Sequence, residues 1–108
     1  MAKYLFLFGL TGETVGRFME NPSDRSAVVS DLAGQLGGKL ESYYFMFGQY
    51  DGAVIISAPD SASVATISIA VTSTGAFSSF ETHELISTDD MIGILAKAKA
   101  VSYKAPGG

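Results

Sequence analysis

The chain has 108 residues, with seven Lys and Arg against eleven Asp and Glu and a net charge of −4, which excludes a protein that holds nucleic acid by neutralising phosphates. It has no cysteine, so disulfides, thiolate metal sites and thiol catalysis are excluded as well. At 47% hydrophobic and 17% charged residues it has the composition of one globular domain over residues 1–108, long enough to bury roughly two-thirds of its unfolded surface without staples.

Lys3 to Phe8 predicts a first strand, dense in aromatic and large apolar residues. Its apolar run is cut by Gly9 without a small-residue cleavage site, and no stretch approaches the ~20 apolar residues of a membrane span. A cytoplasmic protein without a membrane segment is therefore expected. Thr11 is placed to cap a short helix carrying Val15, Phe18 and Met19. A second helix is predicted from Asn21 as cap, with Pro22 in the first helical position and Asp24 in the acid-favouring first turn. Val28, Leu32 and Leu36 recur at i, i+4 and i+8 on one face of it, and Gly37-Gly38 ends it.

"KLESYYFMFG" and "GAVIIS" predict the second and third strands, joined through the turn "QYDG". Pro59-Asp60 starts a helix with Val64, Ile67 and Val71 inward, closed by Thr74-Gly75. "FSSFETHELIS" predicts a fourth strand. Ser87 then caps a last helix with Met91, Ile92 and Leu95 inward, before an extended tail from Val101. The order β-α-β-β-α-β plus a C-terminal helix predicts an α+β fold of ferredoxin-like type, an antiparallel sheet with its helices on one face.

The other face should then be polar in a monomer, yet its strands carry apolar residues on both sides. Tyr4, Phe6 and Phe8 alternate with Leu5 and Leu7. Leu40, Tyr44 and Met46 alternate with Tyr43, Phe45 and Phe47, and Val54 and Ile56 with Ala53 and Ile55. A four-stranded face of about 400 Å² is at or above the largest apolar patches of ordinary monomers. Covering it would yield on the order of 10 kcal/mol, comparable with the ~4–15 kcal/mol that association costs. A homo-oligomer, at least a dimer through the sheet face, is expected.

The stretch "GGKLESYYFMFGQYDGAVIISAPD", Gly37 to Asp60, resembles the GYD-domain family of small bacterial proteins, whose Gly-Tyr-Asp motif would fall on Gly48, Tyr50 and Asp51. The likeness runs from "KYLFLF" through "NPSDR" and "TGAFSS" to the closing "PGG". It implies a dimeric α/β-barrel and no common activity. The Gly-x-Tyr-Asp segment is also similar to effector domains of leucine-responsive regulators, a likeness that extends to fold and oligomerisation only.

Six residues are candidates for chemistry or binding. Asp-Gly is a strong hairpin signal, and Asp51 is also a candidate general base beside Tyr50. His83, the only histidine, can move a proton near neutral pH if it faces a pocket; otherwise it is a solvated strand residue beside Glu84. Tyr4, Tyr44 and Tyr50 are candidate ligand contacts because a buried phenol needs a partner, and Arg25 because it can pair with a carboxylate. One histidine and no cysteine cannot build a nitrogen/sulfur metal set, so neither metal nor cofactor is expected. "GLTGETVG" after the first strand matches neither phosphate-loop spacing and is expected to be a connection.

Three functions fit: a homo-oligomeric module binding a small apolar or aromatic molecule, a cofactor-independent isomerase, lyase or monooxygenase using Asp51 and His83, or a purely structural oligomer. A pocket holding Asp51 and His83 within hydrogen-bond reach would favour the enzyme. A pocket of Phe, Leu and Tyr would favour binding.

Overall fold

The computed structural model describes residues 1–107. Strands β1 (Ala2–Leu10), β2 (Lys39–Phe45), β3 (Gly52–Ala58) and β4 (Phe77–Leu85) form an antiparallel sheet in the order β2-β3-β1-β4. Helices α1 (Gly12–Glu20) and α2 (Arg25–Gln35) connect β1 to β2, α3 (Ser61–Thr72) connects β3 to β4, and α4 (Thr88–Ala100) follows β4. This is the ferredoxin-like α+β fold.

The period-2 alternation of β1 builds the core. Tyr4, Phe6 and Phe8 are buried on the helix face, while Leu5 and Leu7 stay half-buried on the other. Phe6 pairs with Val54 of β3 and Thr82 of β4, and Phe8 with Gly52 and Phe80. Ala33 of α2 and Val64 and Ile67 of α3 complete the buried cluster.

Three local expectations give way. In β2 strict alternation would set Leu40 on the same face as Tyr44, but the register shifts between Leu40 and Ser42. The extra residue, Glu41, is a bulge that turns Leu40, opposite Ile56, and Tyr43, opposite Val54, to the helix side together. The cap of the second helix is Asp24 rather than Asn21. The Asp24 side chain accepts from the Ser26 N–H, so Pro22 lies ahead of the helix instead of opening it. A carboxylate that satisfies an orphan N–H outranks the proline signal here. The hairpin does not turn at Asp51–Gly52 either. Met46 N–H donates to Asp51 O at 2.9 Å and carries the ladder past Phe45, so residues 47–50 make the tip. A two-residue type I′ turn needs positive φ at both central positions. Among the described residues only glycines have positive φ, and at this tip it is Gly48, at 140°.

The fourth difference is larger. α4 has every helix-forming signal expected of it: Ser87 accepts from Asp90 N–H, Asp89 and Asp90 sit in the first turn, and Lys97 and Lys99 in the last. Yet it buries no side chain, and Ile92 and Leu95, expected inward, are 69% and 61% exposed. Caps and charges decide that a helix forms, not where it docks, and α1, α2 and α3 already occupy the sheet's helix side. The Cα radius of gyration is 17.4 Å, against ~13 Å for a compact chain of this length, and the long axis is 57 Å. Among the described residues, neither α4 nor the segment 101–107 covers the second sheet face: α4 buries no side chain and 101–107 is exposed throughout.

Candidate functional site

The GYD segment ties three strands together. Asp51 N–H donates to Phe8 O at 2.7 Å, and the Asp51 carboxylate (Oδ2) accepts from Leu10 N–H at 2.7 Å. β3 starts only at Gly52, so Leu10 has no strand partner on that side, and the carboxylate takes the position a longer β3 would have filled. The neighbouring Tyr50 hydroxyl donates to Glu81 of β4, reaching past β1, which lies between the two strands.

Glu81 in turn meets His83 Nε2 at 3.0 Å through its other oxygen. The two are i, i+2 on β4 and therefore share the face opposite the core. Hydrogen bonds from Tyr50 and then His83 pull the Glu81 carboxyl below its ordinary range, and the same Tyr50–Glu81 bond pushes the phenol up. Glu81 is thus held as an anion and Tyr50 as a neutral donor, which makes the carboxylate a poorer base. Because the folded pKa of Glu81 is depressed, its contribution is complete above the unfolded value of about 4.3 and is lost as pH falls through the lower folded value. The gap in urea midpoint between wild type and Glu81→Gln is therefore expected to narrow from pH 6 to pH 3; a gap constant across that range would mean that the hydrogen bonds do not favour the ionised form.

A separate site lies on the helix side. A cleft of about 690 Å³ opens between α1–α2 and α3 over the centre of the sheet. Phe6, Phe8, Val54 and Ile56 form its buried floor, the buried Ile67 belongs to the α3 wall, and Phe18, Leu32, Tyr43, Val71, Phe77 and Phe80 remain half-buried around it. Phe77 packs edge-on against Phe8 and Phe80, with centroids 5.4 and 5.5 Å apart. Arg17, Asn21, Ser23 and Arg25 stand together at the α1–α2 end, and Thr14, Asp31, Gln35 and Thr74 line other parts of the wall. The Arg25 guanidinium lies 5.9 Å from the centroid of the Phe18 ring. Burial pushes the Tyr43 phenol up, and the Arg25 charge opposes that shift.

The candidate residues therefore separate. Arg25 lines the cleft. Tyr4, only 4% exposed, lies instead in a smaller hollow with Val64, Ser68 and Glu84; its phenol is pushed up first by burial and then by the Glu84 carboxylate. Tyr44 is 70% exposed and pairs with Ala53, on the face away from the helices. Tyr50, Asp51 and His83 line neither hollow, and the His83 imidazole meets Glu81 rather than Asp51. Glu81 was legible as a carboxylate two positions from a histidine on one strand. Phe18 beside Arg25 was not, because it depends on how the chain bends between α1 and α2.

A four-stranded ferredoxin-like sheet, one face roofed by helices around an apolar cleft and the other left open, defines a small α+β domain whose strands are tied by a Gly-Tyr-Asp loop. The chain belongs to the GYD-domain family, whose model matches residues 4–95. No curated protein matches it. Among solved structures it is similar to MtbAldR, at 15% identity and a TM-score of 0.58 over 80% of this chain and 53% of that one, so it spans about half that protein's length. It is similar also to FFRP-DM1, at 13% identity and 0.50 over 80% of this chain and 100% of that one. A hypothetical protein from Pyrococcus horikoshii matches at 12% identity and 0.51, over 81% of this chain and 92% of that one. At these identities the likeness is one of fold. No helix among the described residues is long and apolar enough to cross a membrane.

Proposed function

We propose that this GYD-domain protein is a homo-oligomeric module that binds a small, mainly apolar or aromatic molecule in the helix-side cleft. The observation that carries the reading is the cleft itself. Its volume falls within the ~300–1,000 Å³ of small-molecule sites, and the half-buried aromatic and aliphatic side chains of the helix side surround it. A ligand would complete their burial. The oligomer is supported by the sheet's other face, where Leu5, Leu7, Ala53 and Ile55 are left half-buried by their own chain.

Native mass spectrometry of freshly purified protein tests both halves. A multiple of the chain mass with added small-molecule mass is the expected spectrum; a bare monomer would overturn the oligomer and leave the cleft without a natural occupant. Leu5 lies in the middle of the open face, opposite Ile55 and His83. Leu5→Glu is expected to dissociate the oligomer with the far-UV circular dichroism unchanged, because a charge there cannot be buried against a second copy. An oligomer that survives this substitution uses another surface.

A cofactor-independent enzyme is the second reading, favoured by the hydroxyl–carboxylate–imidazole chain of Tyr50, Glu81 and His83. It would place catalysis by His83 and Asp51 near the open face, with Asp51 as a base only after releasing Leu10 N–H.

A further inference from the structure

We propose that the occupant of the helix-side cleft is a carboxylate amphiphile, an aromatic or medium-chain aliphatic acid whose head group is held by Arg25. The inference rests on the binding-module reading and adds the chemistry of the ligand's polar end.

The polar side chains that line the cleft fall in two groups: Arg17, Asn21, Ser23 and Arg25 at the α1–α2 end, which hold both of its cations, and Thr14, Asp31, Gln35 and Thr74 elsewhere on its wall. Arg17 is occupied, since its guanidinium pairs with Glu13 one turn earlier on α1. Arg25 forms no ion pair among the described residues. The carboxylate nearest in sequence, Asp24, is taken up by Ser26, through its N–H at 2.9 Å and its hydroxyl at 2.6 Å. Asp31, the acidic residue of the cleft wall, lies six residues further along α2, about 9 Å away, and accepts from Gln35 Nε2 at 2.9 Å.

A half-buried guanidinium braced on an aromatic ring is preorganised, with its fork of donors available to a planar oxyanion. The chain's charge of −4 repels anions in general. Selection of an acid must therefore come from this local cation together with an apolar body that the cleft floor can take. A polar group laid on the floor would meet Phe6, Val54 and Ile56 and lose its water without a partner. The cleft thus suits one head group and one apolar body.

The test uses the neutral fluorescent probe N-phenyl-1-naphthylamine, displaced by decanoate or by decanol from the full chain. The expected result is probe binding to wild type, loss of that binding in Val71→Trp, which fills the cleft, and displacement by decanoate at about tenfold lower concentration than decanol. In Arg25→Gln the probe should bind as before, and the two competitors should become equal. Arg25→Lys should retain a preference for the acid. Equal competition in wild type, with the probe still bound, overturns the carboxylate inference and leaves the binding reading standing. A probe that does not bind wild type, or binds Val71→Trp equally well, overturns the cleft as a binding site and the inference with it.

Discussion

Replacing Gly52 with alanine is expected to destabilise the domain by about 3 kcal/mol, at the upper end of the range for overpacking, and to lower Tm by roughly 10–20 °C. Gly52 opens β3 directly opposite Phe8, and a Cβ there would lie 2.1 Å from the Phe8 ring. The ring cannot simply swing aside, because it packs edge-on against Tyr43 on one side and Phe77 on the other, with centroids 6.1 and 5.4 Å away. Adding Phe8→Leu should recover part of the loss, so that the two substitutions together cost less than the sum of each alone. Calorimetry of the three variants decides the matter; Gly52→Ala within about 0.5 kcal/mol of wild type would show that the strand start accommodates a side chain. The glycine of the Asp-Gly pair is thus a packing surface for an aromatic ring, not a turn residue.

Asp51 yields the second large effect. Asp51→Ala should cost about 2 kcal/mol, because it removes a charged acceptor from Leu10 N–H at a half-buried position. Asp51→Asn should cost less than half as much, since an amide oxygen can accept the same bond. Urea unfolding at neutral pH measures both. The ordering tests Asp51 as a strut, since an amide oxygen keeps the bond to Leu10 N–H that alanine loses. Equal losses in the two variants, or none in either, would remove the strut role.

The two substitutions also mark what was legible in the sequence. Strand and helix order followed from period-2 alternation at Tyr4–Phe8, from caps at Thr11 and Ser87 and from the helix start at Pro59-Asp60; Thr11, Asp60 and Ser87 each accept a backbone N–H of the first turn. These are local signals, and local chemistry satisfied them. What sequence alone could not supply was decided by partners distant along the chain. Asp51 and Gly52 have the composition of a turn, but Leu10 and Phe8 draw them into the sheet. Leu40 changes face because of a bulge at Glu41 that no alternation rule announces. Arg25 was recognisable as a cation suited to a carboxylate, but its neighbour Phe18 and the cleft beside it arise only when α1 and α2 meet the sheet. His83 stands out in the sequence as the only histidine, and the structure gives it Glu81 rather than Asp51 as its partner.

The strand order sets how the chain must assemble in time. β1 lies between β3 and β4, and Lys3 pairs with Leu85, so the first strand made cannot be locked on both sides until the last strand exists. Only the β2–β3 hairpin is a sheet pairing local in sequence. Non-local closure of this kind places folding towards the slower, millisecond-to-second end for small domains, since the ordering of a long intervening chain precedes its reward. Until then the apolar stretch Tyr4–Phe8 keeps the edge that β4 will take unpaired, a window in which copies of the chain can meet one another before each has met its own β4.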